Sequence, residues 1–465
     1  MATSIRERGV REAPPLVQAI PDDLADRPAP DWLRSLRVEA GESLRADGLP
    51  GKRDEAWRFT PTRALVTPTY APAAEAAPAL GPGLVRSAFG DDDGTHRVVL
   101  ANGRLVPEIG DGDTRLPDGI VVRGLADALG DAGAEPRIGE VLGRLAERRH
   151  FAGLNAAMFE DGLLVEVAPG TRVERPLHLV HVALSGSGPV VSYPRVVIRV
   201  GSGAELTLVE SHLHDGGEPH LTDGVTEVLV EGNASLDHTR AAADASPTGW
   251  RVETLAVRVD ASGRYASRVV TLGGGFARLD LQVTLAGPGA EARLDGVYHA
   301  ADGDLVDHHL RVDHQAPHSS SHQTYRGILD GRGKAVFDTI ARVRAGAGGA
   351  AAHQENRNLL LSDQADLHTK PHLEIETDDV SASHGATVGA LDEDSLFYLR
   401  SRGVDRATAE ALLTYSFVET LVEPIPHAPT RERLAQGLLS RLPQGGAIRE
   451  LLGMSPPGSQ GASNR

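Results

Sequence analysis

The side chains best suited to chemistry gather towards the carboxy-terminal end of the sequence. His384 stands alone among small residues in Ser381-Ala-Ser-His-Gly-Ala-Thr387. A neutral imidazole ligates iron or zinc, and its unperturbed pKa of ~6.5 leaves it mostly deprotonated at neutral pH. Just upstream, His372, Glu374, Glu376 and Asp378 alternate with Leu373, Ile375 and Thr377, the period of a strand with one polar face. Such carboxylates are hard oxygen donors able to hold Fe²⁺. The same alternation also describes the solvated exterior of a sheet. His308, His314, His318 and His322 form the densest histidine run, with zinc the obvious candidate ion, but His308, Leu310 and Val312 alternate as in a strand. Phe397, Tyr398, Tyr415, Phe417 and Leu421 concentrate aromatic and apolar surface in a short window. They read either as helix packing or as a docking surface for another protein.

These residues need a framework that repeats. Arg195–Val200, Val225–Val230, Leu255–Val259 and Leu281–Leu285 are short apolar-alternating runs, each followed by a corner of small residues such as Gly201-Ser-Gly-Ala or Asp260-Ala-Ser-Gly263. Successive corners are spaced in the ~20–50-residue range of stacked repeats, and a further strand follows each one. That is the pattern of a parallel β-helix, whose inward side chains stack into one core. Helical signals flank it. Asp31 to Leu44 places Trp32, Leu33, Leu36, Val38 and Leu44 loosely on one face, broken by Gly41, and Ile138 to Arg149 reads as a short amphipathic helix. Asp392 is an expected N-cap and Gly403 an expected C′ residue, with a second helix starting at Asp405. The Ser381–Thr387 stretch reads as the loop between the last strand and that first helix.

Composition narrows the function classes. A formal net charge of −17 argues against nucleic acid as the main partner. The start, MATSIRERGVREAPP, lacks the apolar core of a signal peptide, and no apolar run approaches ~18 residues, so a cytoplasmic protein is expected. The chain has no cysteine, which removes thiolate catalysis and thiolate metal ligands. Gly273-Gly-Gly275 is neither a Walker A motif nor a dinucleotide fingerprint, and neither G-x-S-x-G nor H-E-x-x-H occurs. The expected layout is 1–150 mostly helical with a Pro/Ala-rich linker near 68–83, 151–392 β-helix, 393–453 helical and 454–465 a disordered tail.

The order Asn358-Leu-Leu-Leu-Ser362, Thr369-Lys-Pro371, Leu373-Glu-Ile375, Ser383-His-Gly-Ala-Thr-Val-Gly389 and Leu396-Phe-Tyr-Leu-Arg-Ser-Arg-Gly403 resembles the signature region of the SufB/SufD family, the SUF-system iron–sulfur assembly scaffolds, and its SufD branch most closely. Weaker matches run from about Gly51, where Glu55-Ala-Trp57-Arg-Phe-Thr60 is similar to a family element, to about Val422. Trp57 there reads as an anchor for packing, and Asn155 as a capping or turn residue.

The resemblance implies a right-handed parallel β-helix and a non-catalytic scaffold subunit. It implies a SufB-like paralogue as partner, paired through the final rungs, and a SufC-like ABC ATPase docked on the carboxy-terminal helices. Closure of two such ATPases would then reshape the paired interface. His384 matches the family histidine at the site where a nascent iron–sulfur cluster forms, with Glu374 and Glu376 as further candidate metal ligands. Ala382 departs from the pattern by standing where relatives carry cysteine. Any cluster is therefore expected only transiently, at the interface, with the partner supplying the thiolates. A homodimeric adaptor without a metal role, and a β-helix lyase or hydrolase acting on acidic polysaccharide, are the competing classes.

Overall fold

The computed structural model describes residues 13–73, 80, 82–89, 94–107, 116–243 and 246–452. Gly162 to Gly389 winds as a parallel solenoid of eight turns, each giving one strand to each of two facing sheets. The first sheet, A, runs through Gly162–Val167, Arg195–Val200, His220–Val230, Gly249–Val259, Phe276–Leu285, Leu305–His314, Lys334–Val343 and Asp366–Ile375. The second, B, runs through Leu177–Ala183, Glu205–His214, Ser235–Ala242, Arg264–Leu272, Glu291–Ala300, Ser320–Leu329, Ala350–Leu360 and Val380–Gly389. Neighbouring turns pair in parallel, so Leu206, Leu236, Tyr265, Ala292, Ser321 and Ala352 follow one another along a single column.

The small-residue corners have a backbone reason. Gly203, Asn233, Ser262, Gly289, His318 and Gly349 all have positive φ, and each amide N–H donates to the carbonyl of the next corner. Glycine and asparagine tolerate that conformation best. Between corners, alternate residues point inward, and Val165, Ile198, Val228, Val257, Leu281, Leu310 and Phe337 join sheet B residues in one continuous core. The inward and outward rows differ in role, because each outer face meets a different set of helices.

On sheet A the helices Asp31–Asp47 and His150–Met158 bury Leu33, Leu36, Leu44, Phe151 and Leu154 against the outward residues Val197, Leu221, Val252 and Phe276. Gly41 does not break the first of these helices. A Cβ there would lie 2.8 Å from Leu24 Cδ1, so glycine permits a close approach. Trp57 is the expected anchor: it is buried, with the Arg278 guanidinium 3.8 Å over its ring. On sheet B, Val418, Leu421, Leu434 and Leu438 of the helices Arg406–Val422 and Ala428–Ser440 cover Ala241, Val270, Leu272, Val297 and Ile328.

Several expectations change here. The segment 138–149 is helical only within Glu135–Gly139, because Gly143 turns with positive φ and the N–H groups of Gly143, Leu145 and Ala146 donate to the buried Glu227 carboxylate. The boundary at 150 does not separate helix from sheet: His96–Ala101 pairs in parallel with Leu177–Ala183, and Ile120–Gly124 runs antiparallel to Gly162–Val167. The Pro/Ala-rich linker is partly structured, since Ala71–Pro72 pairs with Val190–Val191 and Pro82–Phe89 is helical, while 74–79 and 81 lie outside the described residues. The tail call on 454–465 also lies outside them. No helix of the described residues is long and apolar enough to cross a membrane.

Candidate functional site

The two ends of the solenoid are built differently. At the first turn, Leu105, Leu116 and Val122 lie over the core. At the last, Asp366–Ile375 and Val380–Gly389 each have a paired neighbour on one side only. Their inward rows continue the columns of the preceding turn: Leu373 and Ile375 lie opposite Ala341 and Val343, and Ala382, His384 and Val388 opposite Ala352, Gln354 and Asn358. With no further turn above them, Ile375 is 43% exposed and Val388 51% exposed. The carboxy-terminal helices do not cover this end. The outward apolar residues of sheet B lie further down the solenoid, and the helices follow them there.

The stretch read as a histidine-bearing loop is therefore the last edge strand, and His384 sits exposed in its middle, in the inward row. Small residues allow a strand here because nothing packs over them. The turn lies earlier, over 376–379, so Glu376 and Asp378 fall on a corner rather than on the strand face expected for them. Glu374 does lie on the outward row of Asp366–Ile375, where it accepts a hydrogen bond from Arg342 Nε that holds its carboxyl below the usual range. Glu376 lies 3.8 Å from Arg344. Both carboxylates are thus engaged by arginine, and His384, Glu374 and Glu376 do not come together as a ligand set among the described residues. The amino-terminal element also reaches this outer face, with Lys370 Nζ 2.8 Å from Glu55 and the Phe59 ring stacked on His368 at 3.7 Å.

Behind His384 lies a network of amides and hydroxyls. Asn358 donates to Asn356 at 2.6 Å, Thr369 donates to the same oxygen at 2.9 Å, and Tyr298 donates to Asn358. Gln354 donates to Thr339 at 3.3 Å, which donates to Gln323 at 2.5 Å. These bonds pair most of the polar atoms that the inward alternation forces into the core, leaving Gln323 Nε2 and Gln354 Oε1 without a partner, and they brace the rung that carries the edge strand.

The histidine run is dispersed. His308 is buried with Nε2 3.1 Å from Thr271, His314 is held between Ser319 and Ser321, His318 makes a corner and His322 faces outward beside His353. No shared metal site forms from it among the described residues. Asn155 is neither cap nor turn residue. It is buried within its helix, donates to the carbonyls of Pro194 and Asp223 and accepts from Arg195.

Of the aromatic window, Phe397 and Tyr398 on the helix Glu393–Ser401 are 74% and 55% exposed. Tyr415 and Leu421 are buried and Phe417 packs against the same cluster as Leu421, with its carbonyl accepting from Arg326. Leu421 and Phe417 hold the helices to the solenoid and Tyr415 packs the helices against one another, a correction to the expected docking face. Asp392 and Asp405 cap as expected, accepting from Ser395 N and Thr408 N.

One cluster was missed at the level of sequence. His181, Glu210 and His212 lie in the bore near the first turns, their ligand atoms all within 4.8 Å of one another. Burial holds both imidazoles below their usual pKa, His212 at about 3, and Arg240 holds the Glu210 carboxyl well below its usual range despite that burial. The signal was present in the alternation: His181 continues Leu177 and Leu179, and Glu210 and His212 continue Leu206 and Leu208, all as inward residues.

Comparison with known proteins agrees with this architecture. Residues 182–417 match the SUF system FeS cluster assembly SufBD core domain, and residues 21–179 the SufBD protein N-terminal region. An iron–sulfur cluster assembly SufBD family protein of Mycobacterium leprae is 30% identical over 86% of this chain and 93% of its own. One from Synechocystis is 29% identical over 87% and 90%, and Escherichia coli SufD is 26% identical over 87% and 92%. This chain belongs to the SufBD family of SUF-system iron–sulfur cluster assembly proteins.

Proposed function

We propose that this chain is a SufD-like, non-catalytic scaffold subunit that pairs with a SufB-like paralogue through the open end of its solenoid. The observation that carries this reading is the uncovered last turn. Two free strand edges and the exposed inward residues Ile375 and Val388 are a template for strands of another chain. Pairing there would bury those side chains and continue both sheets. A second copy of this chain fits the same edges, so a homodimer is the alternative outcome of any pairing experiment.

His384 stands at that edge, and of His384, Glu374 and Glu376 it is the one not engaged by arginine among the described residues. Iron and sulfide are cargo in this reading. With no cysteine in the chain, the partner supplies every thiolate, and His384 contributes one imidazole to a cluster held transiently across the interface. The exposed pair Phe397 and Tyr398 is the surface offered to a SufC-like ATPase. In this reading the chain works in the cytoplasm, beside its ATPase.

The test is co-expression with the cognate SufB-like and SufC-like proteins, capture through a tag on this chain, and anaerobic reconstitution with iron and sulfide. Wild type is expected to bring down both partners, and His384→Ala to keep them while losing cluster absorbance. Equal cluster in both would leave this subunit as architecture without a ligand role. Failure of the wild type to capture either partner would overturn the scaffold reading.

A further inference from the structure

We propose that His181, Glu210 and His212 form a resident binding site for a divalent first-row transition-metal ion inside the bore, remote from the open end. The site is independent of the reading of His384. His181 and His212 lie opposite each other on adjacent strands of sheet B, their rings parallel within 9° at 4.8 Å. Glu210, two residues before His212 on the same inward row, brings its Oε2 to 3.8 Å from His181 Nε2. Three donor atoms there lack a hydrogen-bond partner: His181 Nε2, Glu210 Oε1 and His238 Nε2. His238 Nε2 lies 3.3 Å from a Glu210 oxygen without the alignment of a hydrogen bond. Glu210 and His238 are fully buried. Buried polar atoms left unpaired are costly, on the order of 1–3 kcal/mol each, and their convergence marks a place where something binds.

Two imidazoles and a carboxylate are the donor set of zinc and non-haem iron sites. Calcium and magnesium need more oxygen ligands than the cluster offers. Bonds of ~2.0–2.2 Å would draw the donors closer than 4.8 Å, a movement within reach of side-chain rotation. The neighbouring charges are balanced beforehand. Arg240 is bonded to Glu210 Oε2 and to Glu253 and lies 3.5 Å from His212 Nε2, and Arg251 lies 3.7 Å from Glu253. An access route exists, since a cavity of about 30 Å³ between Asn102, Gly103, His181, His212 and Trp250 adjoins the ligands. That volume holds about one water molecule, or an ion stripped of most of its hydration shell.

The test uses the full chain, stripped with chelator and titrated with Zn²⁺, with Fe²⁺ under anaerobic conditions, and with Co²⁺ as a spectroscopic probe. The expected result is one equivalent bound tightly, with cobalt d–d absorbance of a low-coordinate nitrogen and oxygen site. His181→Ala and His212→Ala should weaken it by about 100-fold or more, while His384→Ala leaves it unchanged. Glu210→Gln, which keeps the shape, should weaken it as well, and circular dichroism of each apo variant checks its fold. Absence of a bound equivalent in the folded wild type would overturn the proposal. So would full binding in a folded His212→Ala, or loss confined to His384→Ala.

Discussion

The first and last turns of this solenoid share one repeat and differ in what lies beyond them. At the first, extra strands cover the core, and nearby the buried Arg195–Glu227 pair and its backbone donors pin the segment 138–149 to sheet A. At the last, the columns stop in the open, with inward residues exposed and both edges unpaired. A repeat protein needs its terminal units capped to stay soluble. In the proposed reading, the bare end is the one kept for a partner, while the other end is covered.

The largest expected effect contrasts stability at the two ends. Glu227→Ala removes the partner of buried Arg195 and three N–H acceptor contacts, and should cost about 3–5 kcal/mol in denaturant unfolding. Val388→Ala should change the stability of the isolated chain by less than about 0.5 kcal/mol, because its side chain is 51% exposed. Similar losses at both positions would break the distinction.

The buried histidines add a pH dependence that is smaller per residue. Burial holds His212 at about 3 and His220, His308 and His314 at about 4, all neutral in the folded chain at neutral pH. The unfolded chain binds those protons near ~6.5, so their contribution is complete above that pH and is lost as pH falls towards 4. Each adds up to ~1.4 kcal/mol per pH unit within that window. Stability measured at pH 7 and at pH 5 should therefore drop steeply. His314→Gln should flatten the drop.

Much of this was legible in the sequence, and the misses share a cause. Period-two alternation and glycine or asparagine corners identified the solenoid because each rung needs inward apolar residues and a left-handed corner. Asp392 and Asp405 were legible as caps because capping is local. The Ser381–Thr387 stretch was misread as a loop because small residues signal a turn in a covered sheet, whereas at an open edge they form a strand with nothing over it. The face that the carboxy-terminal helices cover has no local signal, because Ala241, Val270, Val297 and Ile328, scattered over many turns, assemble it. Leu421 was misplaced for the same reason, whereas Tyr415 is buried between the helices themselves. His181, Glu210 and His212 are far from one another in type of neighbour and partly in sequence, and only the register of two strands brings them together.

The absence of cysteine makes the central claim directly measurable. Val388→Cys at the open end and Val121→Cys at the covered end each introduce a single thiol, at side chains 51% and 43% exposed. Their alkylation rates would be compared with and without the SufB-like partner, at concentrations where this chain alone is monomeric. The account predicts that the partner slows alkylation at position 388 by about tenfold or more, the effect of roughly 1.4 kcal/mol of protection, and leaves position 121 unchanged. Protection at 121 with none at 388 would contradict it.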